Sequence, residues 1–293
     1  MACVYRGLEV ATGRPVAVKC LKVDDPSLQR ALANEWEVLN RVEHEYLVDE
    51  LELVQTDSAT FLVMELIEGQ PLGTWIESHS ASERATTAPL LLAKVCQVLQ
   101  YLHAQDPPVI VRDLKPDNIL VTPSLDIKLI DFGIARALIG DAKTEVALKG
   151  FASAAYAPLE QYSAQATTGV HSDVYSLGAT AYHLLTGHPP LSAIDILTQK
   201  VNLEQELLRS GVDAEWASLI AAAMRSKANQ RIGLDDFIQR MPVTPGSAPR
   251  RKPPVIEVAP PSPPPLQASK SWLSWVAIAA LLALSFLLLW SSP

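Results

Sequence analysis

Val111-Arg112-Asp113-Leu114-Lys115-Pro116-Asp117-Asn118, followed thirteen residues later by Asp131-Phe132-Gly133, is the densest cluster of chemically capable side chains in the chain. Asp, Asn and Gly are common in turns, so no single one of these residues carries weight. Their joint order and spacing does, and the rest of the sequence is read outward from it. Toward the N-terminus, RPVAVKCLKV (14–23) alternates and is rich in β-branched residues, and LVDELELVQ (47–55) and ATFLVMELI (59–67) read as further strands. Pro26 to Val42 has helical periodicity through Leu28, Leu32, Leu39 and Val42. From about residue 72 the pattern turns helical, in LLLAKVCQVLQYLHA (90–104), DVYSLGATAYHLLTG (173–187) and WASLIAAAMRS (216–226). A small sheet-rich lobe followed by a larger helical one is an α+β arrangement, and it predicts a ligand cleft between the lobes.

Composition narrows the function. The 293 residues carry a net charge of −8, which argues against nucleic acid as a partner. Cys3, Cys20 and Cys96 are few, odd in number and without CxxC spacing, so a reducing compartment with no structural disulfide or zinc site is expected. The N-terminus MACVYRGLEV has no apolar run of signal-peptide type.

The C-terminal region differs from everything before it. Residues 242–271 hold ten of the 22 prolines, including PPSPPP at 260–265, and form an extended spacer in this reading. Residues 272–290, WLSWVAIAALLALSFLLLW, carry no charge. As a helix they span roughly 28 Å, close to the thickness of the bilayer hydrocarbon. Trp272, Trp275 and Trp290 stand near its ends, where indoles favour the interface. Arg250, Arg251, Lys252 and Lys270 precede the span, so the larger part of the chain is expected in the cytoplasm with the C-terminus outside.

The 111–118 and 131–133 motifs resemble those of eukaryotic-like serine/threonine protein kinases, as found in membrane-anchored bacterial members. The resemblance covers residues 1–241 with the motifs in order, and it implies a two-lobed fold with an N-lobe at 1–67 and a C-lobe at 68–241. It implies ATP and Mg2+, with Mn2+ as a substitute, and protein substrates bearing Ser or Thr. Asp113 then accepts the proton of the substrate hydroxyl, and Lys115 contacts the transferred phosphoryl group. Asn118 and Asp131 supply the hard oxygen ligands that magnesium takes. Val16-Ala17-Val18-Lys19 resembles the strand whose lysine meets the nucleotide phosphates, with Glu35 as its partner and Glu37 close by. Val4 and Ala17 cover the nucleotide, and Met64-Glu65-Leu66-Ile67 resembles the adenine-binding hinge. Met64 is equally suited to plain core. Tyr156-Ala157-Pro158-Leu159-Glu160 resembles the end of the activation segment, with Glu160 expected to pair with Arg231. Asp173 to Gly178 resembles the buried helix that anchors the catalytic loop.

The chain also departs from the family pattern. The glycine-rich phosphate loop is represented only by its tail, Ala2-Cys3-Val4-Tyr5, which suggests that Met1 is internal to a longer protein. Val111 replaces the usual histidine, Ser153 a threonine, and Leu159 the proline before Glu160. Thr144 is the main hydroxyl of the activation segment before Ser153, and Arg112 is the kind of residue that binds a phosphorylated segment. The reading is an active membrane-tethered signalling kinase. The alternative is a pseudokinase scaffold that binds nucleotide or partners without transfer. Dimerisation through the apolar helix is compatible with the sequence, although no GxxxG argues for it.

Overall fold

The structure, a computed structural model, describes residues 2–21, 36, 40–56, 59–130, 154–162 and 168–242. Strands β1 (Ala2–Leu8), β2 (Pro15–Leu21), β3 (Glu50–Gln55) and β4 (Thr60–Glu65) form an antiparallel sheet in the order β1-β2-β4-β3. The three strands expected at 14–23, 47–55 and 59–67 are present as β2, β3 and β4, with residues 22 and 23 outside the described residues. The tail of the glycine-rich loop is a full strand, paired with β2 from Ala2↔Leu21 to Leu8↔Pro15. The β1–β2 turn is closed by two backbone bonds. Glu9 N–H donates to Arg14 O and Gly13 N–H to Glu9 O, both at 2.8 Å. Gly13 sits at φ +72°, where only glycine is unstrained. Of the helix expected at 26–42, Trp36 is helical, and residues 22–35 and 37–39 lie outside the described residues.

The second lobe is built on helices α1 (Leu72–Ser78), α2 (Ala81–His103), α3 (Val170–Thr186), α4 (Ala193–Thr198), α5 (Leu203–Arg209), α6 (Ala214–Ala223) and α7 (Leu234–Arg240). Ser80 caps α2 in a reciprocal box with Glu83, which satisfies two backbone donors at the helix start. One stripe of α2, from Ala88 through Leu92, Val95 and Leu99 to Leu102, is fully buried and packs on α3. Each such leucine contributes about 1.5–3 kcal/mol by leaving water. α3 is buried almost all round, with thirteen buried residues, among them the polar Ser172, Asp173, Ser176 and Thr180. It approaches α6 so closely that a Cβ on Gly178 would lie 2.8 Å from Ala223 Cβ.

A second small sheet, not anticipated from the sequence, joins β5 (Gln70–Pro71), β6 (Ile119–Val121) and β7 (Ile127–Leu129). β6 follows directly on the 111–118 segment. Leu129 N–H donates to Tyr46 O (2.7 Å), Val48 N–H donates to Leu129 O (3.1 Å), and Leu47 bridges Leu129 in parallel. These bonds tie the segment before β3 to β7 of the second lobe. Among the described residues no helix is long and apolar enough to cross a membrane. The spacer from 243 onward and the apolar run 272–290 lie outside the described residues.

Candidate active site

The backbone at Val111–Asp113 is bent into a three-residue turn. Asp113 N–H donates to Val111 O at 2.8 Å, and Arg112 between them has φ +64°. That is an uncommon conformation for a residue with a side chain, and it needs support from its surroundings. Asp173, fully buried on α3, gives that support. Its carboxylate accepts the Val111 and Arg112 N–H groups, each at 2.9 Å, and hydrogen-bonds His103 Nε2 at 2.8 Å. Gln161 Nε2 holds Arg112 O at 2.9 Å. Val111 itself is wholly buried among apolar residues, so the missing histidine is replaced by packing. His103 and Gln161 were not singled out by sequence. His103 closes the last turn of α2, and Gln161 follows Glu160 in a 3₁₀ turn, Leu159–Tyr162.

The turn presents Asp113 to a compact polar cluster. Lys115 Nζ donates to Asp113 Oδ2 at 2.8 Å. Asn118, at the end of the 3₁₀ turn Pro116–Asn118, donates Nδ2 to Asp113 O (2.8 Å) and Oδ2 (3.2 Å). Its amide nitrogen bonds Asp113, and its amide oxygen is a hard donor of the kind magnesium prefers. Asp131, the second expected metal ligand, lies outside the described residues, as do Phe132, Gly133, Thr144 and Ser153. Ile130, one residue before Asp131, donates its N–H to Asn118 O at 2.9 Å, so the strand leading to Asp131 is laced to Asn118.

The first sheet gathers the other expected residues. Register pairs Val4 with Lys19, Lys19 with Leu62, and Ala17 with Met64. Alternation of side chains therefore puts Val4, Ala17, Lys19, Leu62 and Met64 on one face. On that face Ala17, Met64 and Val48 form a small apolar cluster, joined by Leu62, Leu66 and Ile130. An aromatic heterocycle fits such a lining. Val4 is 64% exposed at the sheet edge. Glu65 and the half-buried Ile67 follow directly. Glu35, expected to pair with Lys19, and its neighbour Glu37 lie outside the described residues.

The end of the 131–160 segment is fastened to α3 and beyond. Glu160 and Arg231 form the expected pair, through two guanidinium nitrogens, one of them at 2.8 Å from Oε2. Burial is the largest single influence on the Glu160 pKa and raises it, but the hydrogen bonds and charge of Arg231, with a backbone bond and the Ser172 hydroxyl, together outweigh it and the net shift is downward. Tyr156 OH hydrogen-bonds His183 Nδ1 at 2.7 Å, and Ser176 Oγ donates to Tyr156 O at 2.9 Å. Burial pushes the His183 pKa down to about 4. The unfolded chain then binds more protons than the folded one between about pH 6.5 and 4, so stability falls as pH falls through that window. Urea midpoints at pH 7, 6 and 5 are expected to fall for the wild type and to fall less for His183→Gln. Parallel curves would show that His183 is not the group responsible.

This geometry sits in a recognised sequence family. The protein kinase domain model matches residues 1–241. Serine/threonine-protein kinase PknL of Mycobacterium tuberculosis is 34% identical over 230 residues, covering 75% of this chain and 56% of that protein. Serine/threonine-protein kinase Pkn1 of Myxococcus xanthus is 32% identical, covering 69% of this chain and 29% of that protein. The chain thus spans less than two thirds of the length of these curated relatives. Among solved structures, PpkA-294 in its apo form matches with TM-score 0.66 at 22% identity, covering 82% of this chain and 92% of that one. Rad53 1–466 in complex with AMP-PNP matches with TM-score 0.63 at 22% identity, covering 82% and 61%. At that identity the likeness speaks for the two-lobed fold. The family match over most of the chain shows more: the chain belongs to the protein kinase domain family, of the eukaryotic-like serine/threonine type.

Proposed function

We propose that the chain is an ATP-dependent protein kinase that phosphorylates serine and threonine hydroxyls, tethered to a membrane by residues 272–290. The observation that carries the reading is the Asp113–Lys115–Asn118 cluster, held on a strained turn by buried Asp173. Phosphoryl transfer asks the protein mainly for position and charge, not for covalent chemistry. Asp113 orients the incoming hydroxyl and takes its proton. Lys115, 2.8 Å from Asp113, offsets charge on the transferred group. Ala17 and Met64 line the adenine pocket together with Val48, and the backbone of Glu65 and Ile67 supplies its polar edge. Val4 roofs the pocket, and Lys19 with Glu35 meets the phosphates. Asn118 and Asp131 hold the divalent cation, Mg2+ or Mn2+, which neutralises phosphate charge when bound. The Rad53 neighbour is a complex with AMP-PNP, which supports nucleotide binding by a chain of this fold.

The tether rests on the uncharged run 272–290, its terminal tryptophans and the basic residues before it. With the proline-rich spacer at 242–271, it holds the 1–241 domain at the cytoplasmic face, in reach of membrane-associated signalling substrates. A dimer paired through the apolar helix is the assembly this arrangement allows.

Membranes from cells expressing the full chain test both halves of the reading. Label from ATP should pass to a basic protein acceptor in the membrane fraction, stop on chelation, and resume with Mg2+ or Mn2+. Carbonate washing should leave the chain in the pellet. Transfer that survives chelation would remove the metal role. Release by carbonate would remove the tether.

A further inference from the structure

We propose that Lys128 is a positioning residue for the nucleotide, a strap that fixes the hinge through Glu65. The proposal rests on reading Met64 to Ile67 as the adenine-binding hinge. β4 ends at Glu65, where the chain leaves the first sheet and passes to the second lobe. Two reciprocal bonds hold this point to the preceding segment: Glu65 N–H donates to Asp49 O, and Asp49 N–H donates to Glu65 Oε1, both at 2.9 Å. Lys128 Nζ then donates to the same Glu65 Oε1 at 2.6 Å and to Leu47 O at 2.9 Å. The two side chains are only 20% and 17% exposed, so the pair is poorly screened. One ammonium thereby joins three pieces of chain: the hinge, residues 47–49 and β7.

The position of β7 makes this junction functional. The strand runs on through Ile130 to Asp131, and Ile130 packs beside Ala17, Val48 and Met64. The strap therefore sets the apolar adenine lining and the strand that delivers a metal ligand in one fixed relation. It is not what holds the core together. Leu47 and Leu129 remain buried, and the Leu129–Tyr46 and Val48–Leu129 backbone bonds persist without it. Losing the ammonium leaves the Glu65 carboxylate with one fewer donor and lets the hinge drift. The cost falls on nucleotide affinity, because preorganisation of a binding edge is what the strap supplies.

The test uses the full chain in detergent micelles. ATP affinity is measured by calorimetry without turnover, and KM for Mg-ATP, KM for a basic protein acceptor and kcat are measured by initial rates. Lys128→Met is expected to raise the Kd and KM of ATP about fivefold, with kcat and the acceptor KM changed by less than about twofold. Lys128→Arg should restore most of the affinity. Lys94→Met breaks another short lysine–carboxylate pair, with Asp126 at 2.6 Å, and should leave ATP affinity unchanged. Glu65→Gln weakens the same strap from the other side and carries the test if Lys128→Met fails to fold. An unchanged ATP affinity in Lys128→Met, or an equal loss in Lys94→Met, overturns the proposal. A strap-dependent affinity in a wild type that transfers no phosphate upholds the strap and overturns the kinase reading. A wild type that binds no nucleotide overturns both.

Discussion

Replacing Arg231 by methionine is expected to lower the unfolding free energy by about 3–5 kcal/mol, and the melting temperature by roughly 10 °C. The guanidinium is fully buried and every one of its N–H groups is used. It makes the two bonds to Glu160, and it also donates to Arg225 O (2.7 Å), His171 O (3.1 Å) and Ser226 O (3.2 Å). It lies over the Tyr175 ring, 5.1 Å from its centroid. Removing it strands a carboxylate that is 9% exposed, with Ser172 Oγ at 2.9 Å and His171 Nε2 at 3.7 Å as the side chains left beside it among the described residues. An unpaired buried charge costs more than the pair contributes. The double variant Glu160→Gln/Arg231→Met should therefore lose less than the sum of the two single variants. Urea unfolding of the three variants measures this. A loss below about 1 kcal/mol for Arg231→Met would place the pair among weak surface bridges and contradict the account.

The second large effect is on the chemistry. Asp113→Asn is expected to cut kcat about 10³-fold, the range typical of a lost proton acceptor. Asparagine keeps the shape and one oxygen acceptor. Asn118 is also held by the Asp113 backbone carbonyl, which the substitution leaves in place. The KM for ATP and the unfolding midpoint should therefore stay close to wild type. A loss smaller than about tenfold would mean that Asp113 is not the proton acceptor.

Much of this was legible in the sequence because the active-site loop is written in contiguous residues. Asp113, Lys115 and Asn118 are close in sequence, and a single turn brings them together. The Glu160–Arg231 pair, 71 residues apart, was readable only through the resemblance to a known family. Other features had no local signal. β5, β6 and β7 are two or three residues long, too short for a period of two to register. The helical stretch read at 90–104 is longer in the structure: α2 starts at Ala81 and runs through Pro89, because its capping box and buried stripe outweigh one missing backbone bond. The left-handed φ of Arg112 follows from tertiary hydrogen bonds to Asp173, not from the residue type. Lys128 carries no local signal either, because its partners Glu65 and Leu47 O lie 63 and 81 residues away in the chain.

The central claim is transfer of phosphate to serine and threonine, and one measurement addresses it most directly. The full chain is incubated with γ-labelled ATP, Mg2+ and a basic protein acceptor, and the acceptor is hydrolysed for phosphoamino-acid analysis, with Asp113→Asn as the blank. The account predicts label on phosphoserine and phosphothreonine that vanishes in the blank. Label on tyrosine, or bound nucleotide with no label transferred, would contradict it; the second result would mark the chain as a nucleotide-binding scaffold.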